Sequence, residues 1–164
     1  MRDIETVLET LSEWAPRTKD LEVLTEYVRN SLRRTICGQY VTPSETGEPR
    51  LVCITLDPSM EDFIAGFIDR GPTGTSVTMP ARTVSRVTDQ LLNGLRRVTD
   101  GGHHPVVIAS PQVRAVVRQL LEPHLPSVAV LSYNEVIAGV AVESQALVMP
   151  PTADSARSPA MAAA

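Results

Sequence analysis

At 164 residues, 43% apolar and 21% charged, the chain has enough apolar side chains to bury a sizeable core and too many to stay disordered. Its formal charge of -4 supplies no basic field for phosphates, which argues against wholesale nucleic-acid binding and against attraction to a membrane surface. The longest apolar run, Val136 to Val142, is far short of the roughly 20 residues a spanning helix needs, and the start Met1-Arg2-Asp3 lacks the basic-then-apolar order of a secretory signal.

Ile4, Val7, Leu8, Leu11 and Trp14 follow the i, i+3, i+4, i+7 spacing of one helical face, with Glu5, Glu9 and Glu13 mainly elsewhere, and Pro16 closes that helix. Asp20 can cap a second helix whose apolar stripe is Leu21, Leu24, Val28, Leu32 and Ile36. Arg33 and Arg34 fall in its expected last turn, complementing the carbonyl end of the dipole, before Gly38 as the expected C-terminal cap. The two helices form a hairpin, and the turn formers from Thr42 to Pro49 mark a subdomain boundary.

Leu51 to Leu56 has strand length, and Asp57-Pro58 supplies an N-cap and a preset first helical φ. The helix this predicts carries Met60, Phe63, Ile64, Phe67 and Ile68 and ends at Gly71, Pro72 and Gly74. Pro80 opens a longer helix with Val84, Val87, Leu91, Leu95 and Val98 on one side, stopped by Gly101 and Gly102. Val106 to Ala109 is a second buried strand, Ser110-Pro111 repeats the cap-then-proline device, and the helix of Val113, Val116, Val117, Leu120 and Leu121 leads to a third strand, Val128 to Leu131. Residues 106–131 therefore read as a βαβ crossover with parallel strands. Val140 to Val148 alternates weakly and predicts a last strand at an edge, while 150–164, rich in Pro, Ala and Ser, predicts a disordered tail. The fold class is α/β: a helical hairpin at 2–41, then a small α/β subdomain at 50–149 with a mostly parallel sheet.

No constellation in this pattern demands catalysis, metal or a cofactor. His103 and His104 are adjacent, so in an extended segment they point apart, and His124 lies beyond the crossover helix. Ser110 has the strand-to-helix setting of a nucleophile elbow without its flanking glycines, and Gly71 to Ser76 lacks the GK[ST] of a phosphate loop. Asp57, Glu61 and Asp62 suit the positive end of their own helix. Cys37 and Cys53 have no metal-ligand spacing, and Trp14 and Tyr133 stand apart from basic residues. The alternative is a small hydrolase or nucleotide-binding enzyme using Ser110, His103 or Asp57 at the carboxyl ends of the strands. A receiver-like module would need a nearby lysine, and the only one, Lys19, lies in the helical part.

The run Arg2-Asp3-Ile4-Glu5-Thr6-Val7-Leu8-Glu9-Thr10-Leu11, then Ala15-Pro16-Arg17-Thr18-Lys19-Asp20 and Leu24-Thr25-Glu26-Tyr27-Val28-Arg29, resembles the third cytoplasmic subdomain of FlhA/InvA/SctV-type export-gate proteins of type III secretion systems. Pro105 to Pro111, Arg114, Leu120-Leu121-Glu122-Pro123 and Leu131-Ser132-Tyr133-Asn134-Glu135-Val136 resemble the last subdomain of that family, in matching order from Arg2 to about Val148. The Leu-Ser-Tyr-Asn-Glu wording is nearer the injectisome branch than the flagellar one, though Ile137 to Val142 departs from the more polar segment usual there. The resemblance implies a platform at the cytoplasmic face of the bacterial inner membrane, a nonameric ring of copies that receives chaperones, substrates and other export-apparatus proteins. It implies no catalytic residue and no cofactor, with membrane contact only through an amino-terminal domain that this sequence does not include. Charged residues beside amphipathic stripes can set register at such an interface, which makes Arg2, Asp3, Glu9, Arg29, Arg33 and Arg34 the candidate inter-subunit contacts.

Overall fold

The computed structural model describes residues 2–71 and 74–151, so the expected tail lies, from 152 onward, outside the described residues. Helices α1 (Arg2–Trp14) and α2 (Leu21–Ser31) form the expected hairpin. Asp20 caps α2, accepting from the Glu22 and Val23 N–H groups at 2.9 and 3.3 Å. Trp14 stacks on Tyr27 with centroids 3.7 Å apart, and the Arg17 guanidinium lies 4.8 Å from the Trp14 ring centroid, so the hairpin is closed by an aromatic clasp.

The second helix does not run on to Gly38. Leu32 leaves helical geometry (φ -91, ψ 8), and a short helix α3 (Arg33–Gly38) follows. The Ser31 hydroxyl back-bonds to the Tyr27 carbonyl at 3.1 Å while accepting from Thr10, and such back-bonding bends helices. Arg33 and Arg34 consequently open α3 instead of closing a long helix, where their charge does not complement the dipole. Gly38 is the last residue of α3, followed by Gln39 in right-handed helical geometry, so the expected glycine cap is absent.

Strand β1 (Thr42–Pro43) turns back antiparallel onto β2 (Pro49–Leu56). Asp57 then caps α4 (Pro58–Ala65), with proline in the first turn as the sequence predicts. This helix stops at Gly66, a weak helix former, and the chain continues as a hairpin of β3 (Ile68–Gly71) and β4 (Gly74–Val77), correcting the longer helix read from Phe67 and Ile68. Helix α5 (Ala81–Asp100) buries Val87, Leu91, Leu95 and Val98. A Cβ on its Gly94 would stand 3.2 Å from Val148 and 3.4 Å from Ile54, so glycine is what lets α5 sit this close to the sheet.

Strand β5 (Val106–Ala109), helix α6 (Arg114–Leu121) and strand β6 (Ala129–Ser132) build the parallel crossover. Ser110 does not cap α6. The Val113 and Arg114 N–H groups bond to its carbonyl in a preceding turn, and its own N–H donates to Glu61 Oε1 at 2.7 Å. A 3-10 turn (Tyr133–Glu135) precedes β7 (Ala141–Val148), which returns across the sheet to pair parallel with β2. The long strands lie in the order β7-β2-β5-β6, with a bulge in the β7 partner run at Cys53/Ile54.

Alternation along β2 splits the core in two. Val52, Ile54 and Leu56 face α4, α5 and α6, while Leu51 and Cys53 join Val106, Ile108 and Leu131 beneath Ile36, Tyr40, Val136 and Val140. Leu91→Ala should therefore lower unfolding free energy in urea by about 2–5 kcal/mol, whereas Leu8→Ala on the 61%-exposed Leu8 should stay within about 0.5 kcal/mol.

Candidate functional site

The helical hairpin is fastened to the α/β part by two ion pairs, each with one buried and one half-buried partner. On one face of α2, Glu26 and Arg29 are neighbours. Glu26 Oε1 accepts from Arg114 Nε of α6 at 2.5 Å, and Arg29 Nη2 lies 2.8 Å from Glu135 Oε1. The same Arg29 nitrogen donates to the Val130 carbonyl of β6 at 3.3 Å. Glu135 is fully buried, and its second oxygen accepts the Ser132 N–H at 2.5 Å in a reciprocal capping box. Burial holds the Glu26 carboxyl above the usual carboxylate range despite the pull of Arg114. Burial likewise lowers Arg29, against the opposing attraction of Glu135. Beside this seam runs a groove of about 340 Å³ between Tyr27 and Asn30 of α2 and Pro111, Ser132 and Asn134.

Among the candidate interface residues, Arg29 is engaged inside the chain by this seam. Asp3, Glu9, Arg33 and Arg34 are exposed on the helical part, with Asp3 accepting a 3.3 Å hydrogen bond from Thr35 of α3. Arg2 opens α1, and its side chain lies outside the described residues. Next to Asp3 and Glu9 on α1, Ile4 and Leu8 are 65% and 61% exposed, so two of the five residues of the expected apolar stripe are uncovered by the described residues.

The enzyme alternative does not assemble. Ser110 follows the carboxyl end of β5 and His103 precedes its amino end, so the strand's whole length separates them. His104 rests against the Tyr40 ring, 5.0 Å between centroids, and His124 is exposed beyond α6. Asp57 is held below its ordinary pKa by hydrogen bonds from Ser59, as an N-cap is. Burial, with Glu143 nearby, pushes the Cys53 thiol up to about 12, far from a reactive thiolate. Tyr133, 47% exposed, is raised by partial burial and the charge of Glu61. Among the described residues no three His, Cys, Asp or Glu side chains gather as a metal site, and no helix is long and apolar enough to cross a membrane.

This arrangement of a helical hairpin latched to a parallel sheet is shared with known proteins. The FHIPEP family model matches residues 1–141. The chain belongs to the FHIPEP family. A FHIPEP relative, the flagellar biosynthesis protein FlhA of Bacillus subtilis, is 32% identical over 151 residues, covering 88% of this chain and 21% of that protein. CdsV of Chlamydia pneumoniae, solved in complex with CdsO, has a TM-score of 0.74 at 32% identity over 89% of this chain and 42% of the solved one. The nonameric cryo-EM structure of EPEC SctV-C has a TM-score of 0.73 at 28% identity over 90% and 43%. The chain thus spans about a fifth of the length of the curated FHIPEP proteins it matches.

The sequence offers Glu26, Arg114 and Glu135 only within the stretches that resemble the family, and not as candidate contact residues. The one signal that could have found Glu26 and Arg29 is their i, i+3 placement of opposite charges on the helix whose buried residue is Leu24. Glu135→Ala should destabilise this FHIPEP chain by about 3 kcal/mol or more by stranding Arg29, and Arg29→Met in the same molecule should recover part of that loss in a double-mutant cycle. Strict additivity in urea unfolding would remove the pair from the account.

Proposed function

We propose that this chain is a cytoplasmic part of a type III export apparatus, with residues 2–41 contributing contacts to a ring of copies and residues 50–149 forming a body that receives chaperones, substrates and other export components. The observation that carries the ring reading is the uncovered α1 face: Ile4 and Leu8, flanked by Asp3 and Glu9, expose apolar surface that no other described residue covers. The similarity to nonameric SctV-C supports it, and the CdsV structure with CdsO shows that a protein of this fold associates with a second protein.

The charged residues divide the work. Asp3, Glu9, Arg33 and Arg34 are the proposed polar contacts that set register between copies, and Arg2 joins them by its place at the start of α1. Arg29 acts one step back, holding α2 against β6 so that the α1 face is presented. The role is non-catalytic, since Ser110 and His103 sit at opposite ends of β5 and the Asp57 carboxylate is taken up in capping.

The test uses the full-length protein that carries this region. Ile4→Asp with Leu8→Asp, or Arg33→Glu with Arg34→Glu, should abolish rings in sedimentation and electron microscopy and stop secretion, while the unfolding midpoint of the chain stays within a few degrees of wild type. Intact rings and normal secretion in both double variants would remove residues 2–41 from the interface.

A further inference from the structure

The long strands of the main sheet end in two edges, β6 and β7, and the chain treats them differently. At β6, Arg118 and Arg29 place guanidinium N–H groups on the Val128 and Val130 carbonyls, which blocks the approach of another strand. At β7 no described residue does this. Among the described residues β7 pairs with β2 alone, and because the Val148 carbonyl accepts from the Asp57 N–H, alternation turns the backbone of Leu147 outward. Val142, Leu147 and Met149 are 47%, 57% and 53% exposed along this open edge. Beside it lies a groove of about 320 Å³ bounded by Gln90, Asn93, Gly94 and Arg97 of α5. The Gln90 Oε1 atom is buried there without a hydrogen-bond partner, and Arg97 is the one charged residue of the lining.

We propose that the β7 edge is a docking site for an extended segment of a partner protein, which adds to the sheet as a further strand. The open backbone at Leu147 selects an extended chain, since main-chain hydrogen bonds supply the contact. The exposed Leu147 and Met149 select apolar side chains at alternate positions of that segment. Arg97, to which no described residue brings a carboxylate, selects an acidic residue between them, and an incoming N–H satisfies the orphaned Gln90 oxygen. A sheet that shields one edge with two arginines and leaves apolar side chains on the other has an edge open for recognition. The site lies at the opposite edge of the sheet from the α2 seam, so it is independent of the ring reading.

The probe is a capped seven-residue peptide of alternating valine and glutamate, titrated into the ¹⁵N-labelled full chain and followed by amide shifts. Shifts centred on β7 and α5 are expected. Leu147→Pro, which removes one outward N–H without touching the β2 ladder, should weaken binding about tenfold or more, and Leu147→Ala only a few-fold. Arg97→Glu should transfer preference to the valine–lysine peptide. Should Leu147→Pro lose its dispersed spectrum, N-methylating alternate amides of the peptide tests the same strand pairing on wild-type protein and should abolish the shifts. No shifts at millimolar peptide, shifts centred elsewhere, or equal affinity of the N-methylated peptide would overturn the proposal. So would a wild-type dimer in sedimentation that Leu147→Lys dissolves, because a second copy would then be the occupant.

Discussion

Arg29 and Glu135 meet at 2.8 Å in a seam that α2 closes over β6, and Glu26 and Arg114 repeat the pairing one turn earlier on the same helix. Charges in such a place are costly to desolvate, and burial shows itself in the raised Glu26 and lowered Arg29. Further hydrogen bonds offset part of the cost: Glu135 Oε2 also receives the Ser132 N–H, and Arg29 Nη2 also serves the Val130 carbonyl, while Arg29 Nε is left buried without a hydrogen-bond partner. An apolar seam could slide or rotate. Two pairs of opposite polarity, one running from α2 to α6 and one to the 3-10 turn, fix the hairpin in a single orientation.

That orientation determines which surfaces remain free. With α2 turned inward, α1 presents Ile4 and Leu8 outward, and Trp14 stacked on Tyr27 holds the two helices together at their other end. The same Arg29 that aligns the hairpin also shields the β6 edge, so a single side chain both orders the helical part and closes one side of the sheet. The surfaces this leaves open are the α1 face, the groove beside Tyr27 and the β7 edge, and it is these that we propose as sites for other polypeptides.

Local signals were enough for the elements that local physics decides. Short apolar runs marked β2, β5 and β6, the cap residues Asp20 and Asp57 marked helix starts, and the spacing of Val87, Leu91, Leu95 and Val98 marked α5. Phe63, Ile64, Phe67 and Ile68 fit a helix in spacing, yet Gly66 ends it and Ile68 pairs with Val77 instead, because the hairpin offers a partner that periodicity does not record. The site was less legible. Glu26 and Arg114 are 88 residues apart, and nothing in the spacing of one announces the other. Arg29 drew notice as a charge beside an apolar stripe, and only the return of the chain through β6 shows that its partner is internal. The edge position of β7 was readable from its weak alternation, whereas its pairing with β2 depends on a crossing of the whole sheet.

Native-state hydrogen exchange in low denaturant tests the central claim most directly, because it reports whether α2 and β6 open together. If the ion-paired seam fastens the hairpin, the α2 amides around Leu24 to Arg29 exchange with the same opening free energy and denaturant dependence as those of β6, and Glu135→Ala drops α2 alone to faster local exchange. Exchange of α2 in the wild-type chain at fraying rates, unmoved by Glu135→Ala, would contradict it.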